Sequence, residues 1–153
     1  KERAWHVRFI ELMPLGGGEA ARVALSQFVP TRETRERIEA ALGPLVPLPP
    51  QSAADESRNF GFASGEPGVV GFISPVSEPY CGSCNRMRLT ADGKFHLCLL
   101  NDDELDVKAA LRGGAGESRV VEILSRAVAA KPTGHRLDEG ISTEDRAMFQ
   151  IGG

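Results

Sequence analysis

All of the cysteines in this 153-residue chain lie in one short stretch. Cys81 and Cys84 have C-x-x-C spacing, and thirteen residues separate Cys84 from Cys98. A thiolate is a ligand for soft and borderline metals, and a C-x-x-C turn brings two sulfurs to one ion or cluster. Cys98 can supply a third sulfur if the chain after Cys84 returns as a hairpin. The spacing therefore predicts a metal centre with three sulfur ligands.

The number of sulfur ligands leaves two kinds of metal centre open. A [4Fe–4S] cluster held by three cysteines keeps one iron available to a substrate atom. A structural zinc site is closed by four ligands, and His96 could be the fourth because residues 96 and 98 lie on the same side of a strand. Cysteines that bind no metal are a third interpretation, and the spacing alone is compatible with all three.

Two arginines directly follow the C-x-x-C pair. Arg86 and Arg88 are two residues apart and project to one face if this segment is extended. A guanidinium can donate two hydrogen bonds to one phosphate, which an ammonium group cannot do. The pair therefore indicates an anion site beside the metal centre, although compensation of the thiolate charge would also explain it.

Composition excludes several classes of function. The net charge of −3 gives no overall basic field, so nucleic acid is not an expected partner. No apolar run approaches the roughly 18 residues that a membrane span needs, so no membrane partner is expected. An odd number of cysteines disfavours a disulfide framework and favours a reducing, cytoplasmic environment. Because the chain starts at Lys1 without Met and soon reaches a strand, we expect a C-terminal piece of a longer polypeptide.

The first predicted element positions another arginine. Ala4–Leu12 contains aromatic and β-branched residues without a breaker, which predicts a strand. Its apolar residues point to both sides, as in a buried parallel strand of an α/β barrel. Because barrels bind ligands at the C-terminal ends of their strands, Arg8 is a candidate anion contact. Pairing of Arg8 with a core carboxylate is the alternative.

The remaining patterns predict hairpins and helices, and so a fold between α/β and α+β. The predicted hairpins are Arg58–Ala63 with Val69–Ile73 and Met87–Thr90 with Lys94–Leu100, and the predicted helices are Thr31–Leu42, Leu105–Arg112 and Ser118–Lys131. We expect the hairpins to form one small antiparallel layer, with Cys98 on a return strand. Thr31 and Ser118 are the expected N-caps of their helices.

Three segments resemble the C-terminal region of one known family. Phe72–Lys94, followed by Cys98–Leu99, resembles the cysteine region of the GTP 3′,8-cyclases of molybdenum cofactor biosynthesis. Arg8–Met13 looks like a late barrel strand of that family, and Gln150–Gly153 looks like its double-glycine terminus. The matches reach from one end of the chain to the other, and the cysteine motif is the most specific of them.

The resemblance implies a radical S-adenosylmethionine enzyme with two [4Fe–4S] clusters. In that family an N-terminal cluster, on a C-x-x-x-C-x-x-C motif, cleaves S-adenosylmethionine to a radical that takes the ribose 3′ hydrogen of GTP. The resulting carbon radical closes onto C8 of guanine, while a C-terminal cluster binds the guanine through its open iron. The implied domains are the end of an incomplete radical SAM barrel, residues 1–50, and an iron–sulfur and substrate-binding region, residues 51–153.

The resemblance also implies roles for individual residues. The implied cluster ligands are Cys81, Cys84 and Cys98, the GTP contacts are Arg86, Arg88 and Arg8, the S-adenosylmethionine contact is Met13, and the active-site tail is Gly152 and Gly153. The chain has no C-x-x-x-C-x-x-C motif, so an N-terminal half is an expected partner and the chain alone is expected to be inactive. A homodimer is also compatible with the resemblance.

Overall fold

A computed structural model describes residues 2–52, 55–140, 143, 146 and 148–150 of the chain. The strands are β1 (His6–Ile10), β2 (Leu45–Pro47), β3 (Ser57–Phe62), β4 (Val69–Ile73), β5 (Arg88–Leu89), β6 (Lys94–His96) and β7 (Glu104–Asp106). The helices are α1 (Gly18–Ser26), α2 (Thr31–Leu42), α3 (Lys108–Arg112) and α4 (Glu117–Ala129). The predicted mixture of strands and helices is confirmed. No helix in the described ranges is long and apolar enough to cross a membrane.

The chain forms two compact units. The first unit combines Lys1–Met13 with Gln27–Cys84, and the second combines Pro14–Ser26 with Asn85–Gly153. Strands β2 and β3 pair within the first unit although the expected domain boundary at residue 50 falls between them. The predicted domains, residues 1–50 and 51–153, therefore do not coincide with these compact units. They stay a prediction about the domains of the longer protein.

The first unit is built on a mixed four-stranded sheet with the order β1-β4-β3-β2. β1 runs parallel to β4, with His6 opposite Val69, and the other two pairings are antiparallel. The predicted hairpin of β3 and β4 is confirmed, and so is the parallel pairing of the first strand. Leu45–Pro47 forms β2, which pairs with β3 and is the other edge of the sheet. Its buried apolar core consists of Leu45, Phe62, Val70 and Phe72.

The prediction that the first strand is buried is wrong for this chain. All five residues of β1 are exposed, because β1 is an edge of the sheet and has β4 as its only strand neighbour among the described residues. On one side of the strand, Trp5, Val7 and Phe9 line an apolar groove of about 570 Å³. The apolar residues that suggested burial therefore form an exposed surface here.

Helix α2 has the predicted bounds but a different cap. Pro30 is the N-cap residue and Thr31 is the first helical residue, so the predicted capping by Thr31 is wrong. The Thr31 backbone N–H donates instead to Glu11 Oε1 at 2.9 Å, which satisfies an N-terminal donor of the helix from the end of β1. Gly43, with φ of 95°, ends the helix in a backbone conformation that suits glycine.

The second unit contains a three-stranded antiparallel sheet with the order β5-β6-β7. The second predicted hairpin is confirmed as β5 and β6, but it is shorter than predicted. β6 ends at His96, and the chain then turns, with Asn101 N–H donating to Cys98 O. Cys98 therefore lies in a turn after the strand. The expected single antiparallel layer is also wrong, because the two hairpins belong to separate sheets.

The helices of the second unit were only partly predicted. α4 is confirmed, but its N-cap residue is Gly116 in an extended conformation, so Ser118 does not cap it. The predicted helix from Leu105 is shorter, because residues 104–106 pair with β6 as β7 and α3 starts only afterwards. α1 was not predicted, since the residues after Gly18 carry no strong capping signal.

Candidate metal and nucleotide site

The C-x-x-C segment forms a tight turn, as its spacing predicts. Cys81–Ser83 is a single 3₁₀ turn, and the Cys84 N–H donates to Cys81 O at 3.1 Å. The carbonyl of Tyr80 accepts hydrogen bonds from the backbone N–H and the hydroxyl of Ser83, each at 3.1 Å. Both cysteines are half-buried and neither is in a disulfide. The turn therefore keeps two thiols close in the chain and accessible to a metal.

Cys98 lies in the second unit, whereas Cys81 and Cys84 lie in the first. It is half-buried and is not in a disulfide. Across the described ranges, no three His, Cys, Asp or Glu side chains are grouped as a metal ion would require. The donors fit an iron–sulfur cluster in their chemistry, since three thiols are present, and the assignment of all three as ligands stays a prediction.

A buried carboxylate holds the segment that leads into the cysteine turn. Glu11, at the end of β1, is only 5% exposed. Its Oε2 accepts the backbone N–H groups of Val76 at 3.0 Å and Ser77 at 2.9 Å, and its Oε1 accepts the Ser77 hydroxyl as well as Thr31 N–H. Burial alone would raise the pKa of Glu11, but the hydrogen bonds from Ser77, Thr31 and Val76 outweigh it and hold the pKa below its usual value.

An arginine of β3 fixes the same segment at two further points. Arg58 Nη2 donates to Ser74 Oγ at 3.1 Å, and its other terminal nitrogen forms an ion pair with Glu78. The Ser74 and Thr31 hydroxyls share a hydrogen bond of 2.6 Å. Sequence analysis missed both Glu11 and Arg58. The available signal for Glu11 was an acidic residue at the end of an otherwise apolar strand.

Arg8 lies on a polar face of the first unit's sheet. It is opposite Gly71 in the parallel register of β1 and β4. A Cβ atom on Gly71 would lie 2.5 Å from Ser57 Oγ, 2.8 Å from Asn59 Oδ1 and 3.0 Å from Arg8 Cγ, so the glycine makes room for these side chains. Ser57 Oγ donates to Asn59 Oδ1 at 2.9 Å, and both residues are buried. Sequence analysis did not identify this polar pair.

The alternative in which Arg8 pairs with a core carboxylate is not observed. Arg8 is exposed, and within the described part of the chain no carboxylate lies within ion-pair distance of it. Met13, the predicted S-adenosylmethionine contact, follows β1 and is half-buried. The predicted tail residues Gly152 and Gly153 lie outside the described residues.

The two arginines after the cysteines belong to the second unit. Arg88 begins β5, is half-buried and lies opposite His96 in the strand register. Arg86 is exposed and precedes β5, so only Arg88 of the pair lies in a strand. Their contact with a nucleotide stays a prediction.

The second unit also contains a cluster of ion pairs around Glu104. Arg146 contacts both oxygens of Glu104, and Lys94 Nζ donates to Oε2 at 2.9 Å. Arg146 Nη2 also donates to Asp92 Oδ2 at 2.8 Å. Burial would raise the pKa of Glu104, but hydrogen bonds from Arg146 and Lys94 hold it below its usual value. The Arg146 side chain thus contacts the sheet through Glu104 of β7.

His96 packs against the same cluster. Its side chain is completely buried, and Nδ1 is 3.4 Å from Glu104 Oε1. Neither ring nitrogen has a hydrogen-bond partner among the described residues. A buried ring nitrogen without a hydrogen-bond partner is costly, so Nε2 of His96 is a candidate ligand atom.

Comparison with known proteins identifies the family of this chain. Residues 5–137 match the family described as Molybdenum Cofactor Synthesis C, and the chain belongs to this family. Relatives over the whole chain are proteins named GTP 3′,8-cyclase, which confirms the resemblance of the sequence to the C-terminal part of these proteins.

Three of these relatives show how much of the protein is covered. The GTP 3′,8-cyclase of Moorella thermoacetica is 44% identical over 153 residues, which is 100% of this chain and 46% of that protein. That of Pelotomaculum thermopropionicum is 42% identical over 99% of this chain and 45% of its own length, and that of Gloeobacter violaceus is 40% identical over 99% and 46%. The chain thus spans less than half the length of these relatives.

Proposed function

We propose that this chain is the substrate-binding part of a radical S-adenosylmethionine GTP 3′,8-cyclase, which acts in the first step of molybdenum cofactor biosynthesis. The observation that carries the proposal is the 44% identity to a protein of that name along the entire chain, cysteine segment included. The tight C-x-x-C turn and its fixed approach support it, because a cluster needs ligands in a defined place.

In this proposal Cys81, Cys84 and Cys98 hold a [4Fe–4S] cluster. Support comes from three half-buried cysteines outside disulfides, two of them on one turn. A cluster with three protein ligands supplies one iron with an open position, which can bind the guanine of GTP. The protein contributes the thiolates and keeps the loop that presents them in place.

The arginines bind the other end of GTP. Arg86, Arg88 and Arg8 are proposed to contact the triphosphate, and the exposure of Arg8 on β1 supports its part. Charge-assisted bidentate bonds suit phosphate oxygens. Binding the base and the triphosphate at two ends fixes the ribose between them, so positioning contributes much of the rate.

The remaining machinery is proposed to come from an N-terminal half. The three cysteines of this chain are assigned, so none is left for a C-x-x-x-C-x-x-C motif and the first cluster. The exposed apolar residues Val7, Phe9 and Ile10 on β1 support contact with the N-terminal half at this sheet edge. S-adenosylmethionine would bind to that half, with Met13 as one contact from this chain, and this chain alone would be inactive.

The same proposal covers the C-terminal glycines, the oligomeric state and the cellular location. Gly152 and Gly153 would reach into the active site, since glycine lets backbone approach a ligand closely. A homodimer and a cytoplasmic location are part of the proposal.

A zinc site is the second candidate function. It would use Cys81, Cys84, Cys98 and His96 in a closed, non-catalytic centre. The observation that favours it is the buried His96 ring, whose nitrogens lack hydrogen-bond partners in the described part of the chain.

Metal analysis separates the two. The chain is purified without oxygen, reconstituted with iron and sulfide, and assayed for iron, zinc and acid-labile sulfide. Iron with sulfide that is lost in Cys98→Ala supports the cyclase proposal, and His96→Ala should then retain it. Stoichiometric zinc without sulfide, lost in His96→Ala, supports the zinc module and contradicts the cluster.

A further inference from the structure

One carboxylate joins the sheet of the first unit to the approach of the cysteine turn. Glu11 is itself fixed by the sheet, because its backbone N–H donates to Ile73 O at 3.0 Å. Its side chain then accepts three hydrogen bonds from Val76 and Ser77, which are 65 and 66 residues further along the chain. We propose that Glu11 is a positioning residue that keeps Cys81 and Cys84 in the geometry for their metal, an inference that rests on the proposed function for the identity of that metal.

The distribution of these bonds separates this role from simple helix capping. A capping carboxylate is needed only for the free N–H groups of its helix. Glu11 accepts one such bond, from Thr31 N–H, whereas its other three come from the segment of Val76 and Ser77. Most of its hydrogen-bonding capacity is therefore directed at the cysteine approach.

The fixed segment is connected to the cysteines by a short, tethered path. Glu78 follows Ser77 directly and is paired with Arg58. The Tyr80 carbonyl then accepts two hydrogen bonds from Ser83 inside the cysteine turn. Only Glu78, Pro79 and Tyr80 separate Ser77 from Cys81, so we expect a displacement at Ser77 to reach the cysteine turn along the chain.

Only a carboxylate satisfies all of these donors. Every group that faces the Glu11 side chain is an N–H or O–H donor, and an ionised carboxylate offers acceptors only. Glutamine has nearly the same shape but carries no charge and has one acceptor oxygen in place of two, so at least the Thr31 N–H loses its acceptor and the remaining hydrogen bonds become weaker. Glu11→Gln therefore weakens the anchor with little change in volume.

Thiol alkylation tests the proposal without any metal. Cys81, Cys84 and Cys98 are alkylated in the metal-free chain, and the rate at each is read by mass spectrometry. In Glu11→Gln we expect Cys81 and Cys84 to react about threefold faster or more, because local opening exposes them, while Cys98 in the other unit is the internal reference and keeps its rate. Glu39→Gln is the matched control, since Glu39 accepts a hydrogen bond from the Leu45 N–H and forms an ion pair with Arg35, both elsewhere in the first unit.

A milder variant covers the case in which Glu11→Gln does not fold. Ser77→Ala removes only the hydroxyl bond to Glu11 and should accelerate the same two cysteines to a smaller extent. Unchanged rates at Cys81 and Cys84, or equal acceleration at all three cysteines, would overturn the proposal, because the first shows no anchoring and the second shows general loosening.

A second measurement keeps this result separate from the proposed function. After reconstitution, the iron lost to a chelator is followed in the wild type and in Glu11→Gln. Faster loss from the variant extends the role to the cluster, and equal loss would contradict the proposed effect on metal binding. If the wild type binds no iron, the cyclase proposal fails, while the alkylation rates still decide the anchoring role of Glu11.

Discussion

Arg146 donates hydrogen bonds to both oxygens of the Glu104 carboxylate, although the two residues are 42 positions apart in sequence. Their side chains are only 13% and 15% exposed, and Arg146 also reaches Asp92. These bonds hold the Arg146 side chain against the sheet of β5, β6 and β7, where Glu104 lies in β7.

Loss of this arginine should destabilise the chain measurably. Arg146→Ala removes three charged hydrogen bonds and leaves Glu104 only the hydrogen bond from Lys94, so we expect a loss of about 2 kcal/mol in the free energy of unfolding. Urea denaturation measures it. Arg119→Ala, which breaks an exposed pair with Glu122 on α4, is the control and should cost less than about 1 kcal/mol. Equal losses in the two variants would show that the Arg146 cluster is no stronger than a surface pair.

The stability should depend on pH through Glu11. Its pKa in the folded chain is below the ordinary value of 4.5, so the stabilisation is present above that pH and is lost as the pH falls through the lowered pKa. Glu11→Gln cannot titrate at this position. The variant should therefore be less stable at neutral pH and show a smaller further loss of stability on acidification. Urea midpoints measured from neutral to acid pH test this, and identical slopes in the wild type and the variant would contradict it.

A methyl group at Gly71 should disturb the polar face around Arg8. The added Cβ would lie 2.5 Å from Ser57 Oγ and 2.8 Å from Asn59 Oδ1, both of which are buried. We expect Gly71→Ala to cost about 1–3 kcal/mol in the free energy of unfolding. Gly61→Ala on the neighbouring strand is the matched control, because its Cβ would meet Leu48 at an ordinary 3.5 Å. A thermal or urea unfolding midpoint for Gly71→Ala equal to that of Gly61→Ala would refute the close packing.

The arginines should affect nucleotide binding without affecting metal content. Arg8→Ala, Arg86→Ala and Arg88→Ala each remove charged hydrogen bonds to phosphate in the proposed complex, so each should weaken GTP binding by about 1–3 kcal/mol. Equilibrium binding of GTP to the reconstituted chain measures the loss, and iron analysis checks that the cluster is retained. Arg37→Ala, which alters only an exposed pair on α2, should bind GTP normally. Unchanged affinity in all three variants would remove these residues from the site.

Local pattern predicted the elements that local interactions determine. Helix α2 has the predicted bounds, from Thr31 to Leu42, because Pro30 and Gly43 mark its ends in the sequence. The hairpin of β3 and β4 was predicted from its turn residues, and the C-x-x-C spacing predicted the turn at Cys81. These features depend on neighbours within a few residues, which periodicity and turn chemistry describe well.

Features that depend on distant partners were not predicted. In the sequence, Glu11 is one residue of a predicted strand, and only the fold brings Val76 and Ser77 to its side chain. The strand β1 was predicted as buried because its composition is that of an internal strand, but burial depends on which strands lie next to it. Likewise, Cys98 lies outside the predicted strand, because its carbonyl accepts the Asn101 N–H in a turn between β6 and β7.

The electron paramagnetic resonance spectrum of the reduced, anaerobically reconstituted chain, recorded with and without GTP, tests the central claim most directly. An open iron that binds guanine predicts the spectrum of a [4Fe–4S] cluster that changes when GTP is added and vanishes in Cys81→Ala. ATP at the same concentration should produce a smaller change, because its base differs from guanine. A chain with no cluster signal, or with a signal that GTP leaves unaltered, would contradict the account.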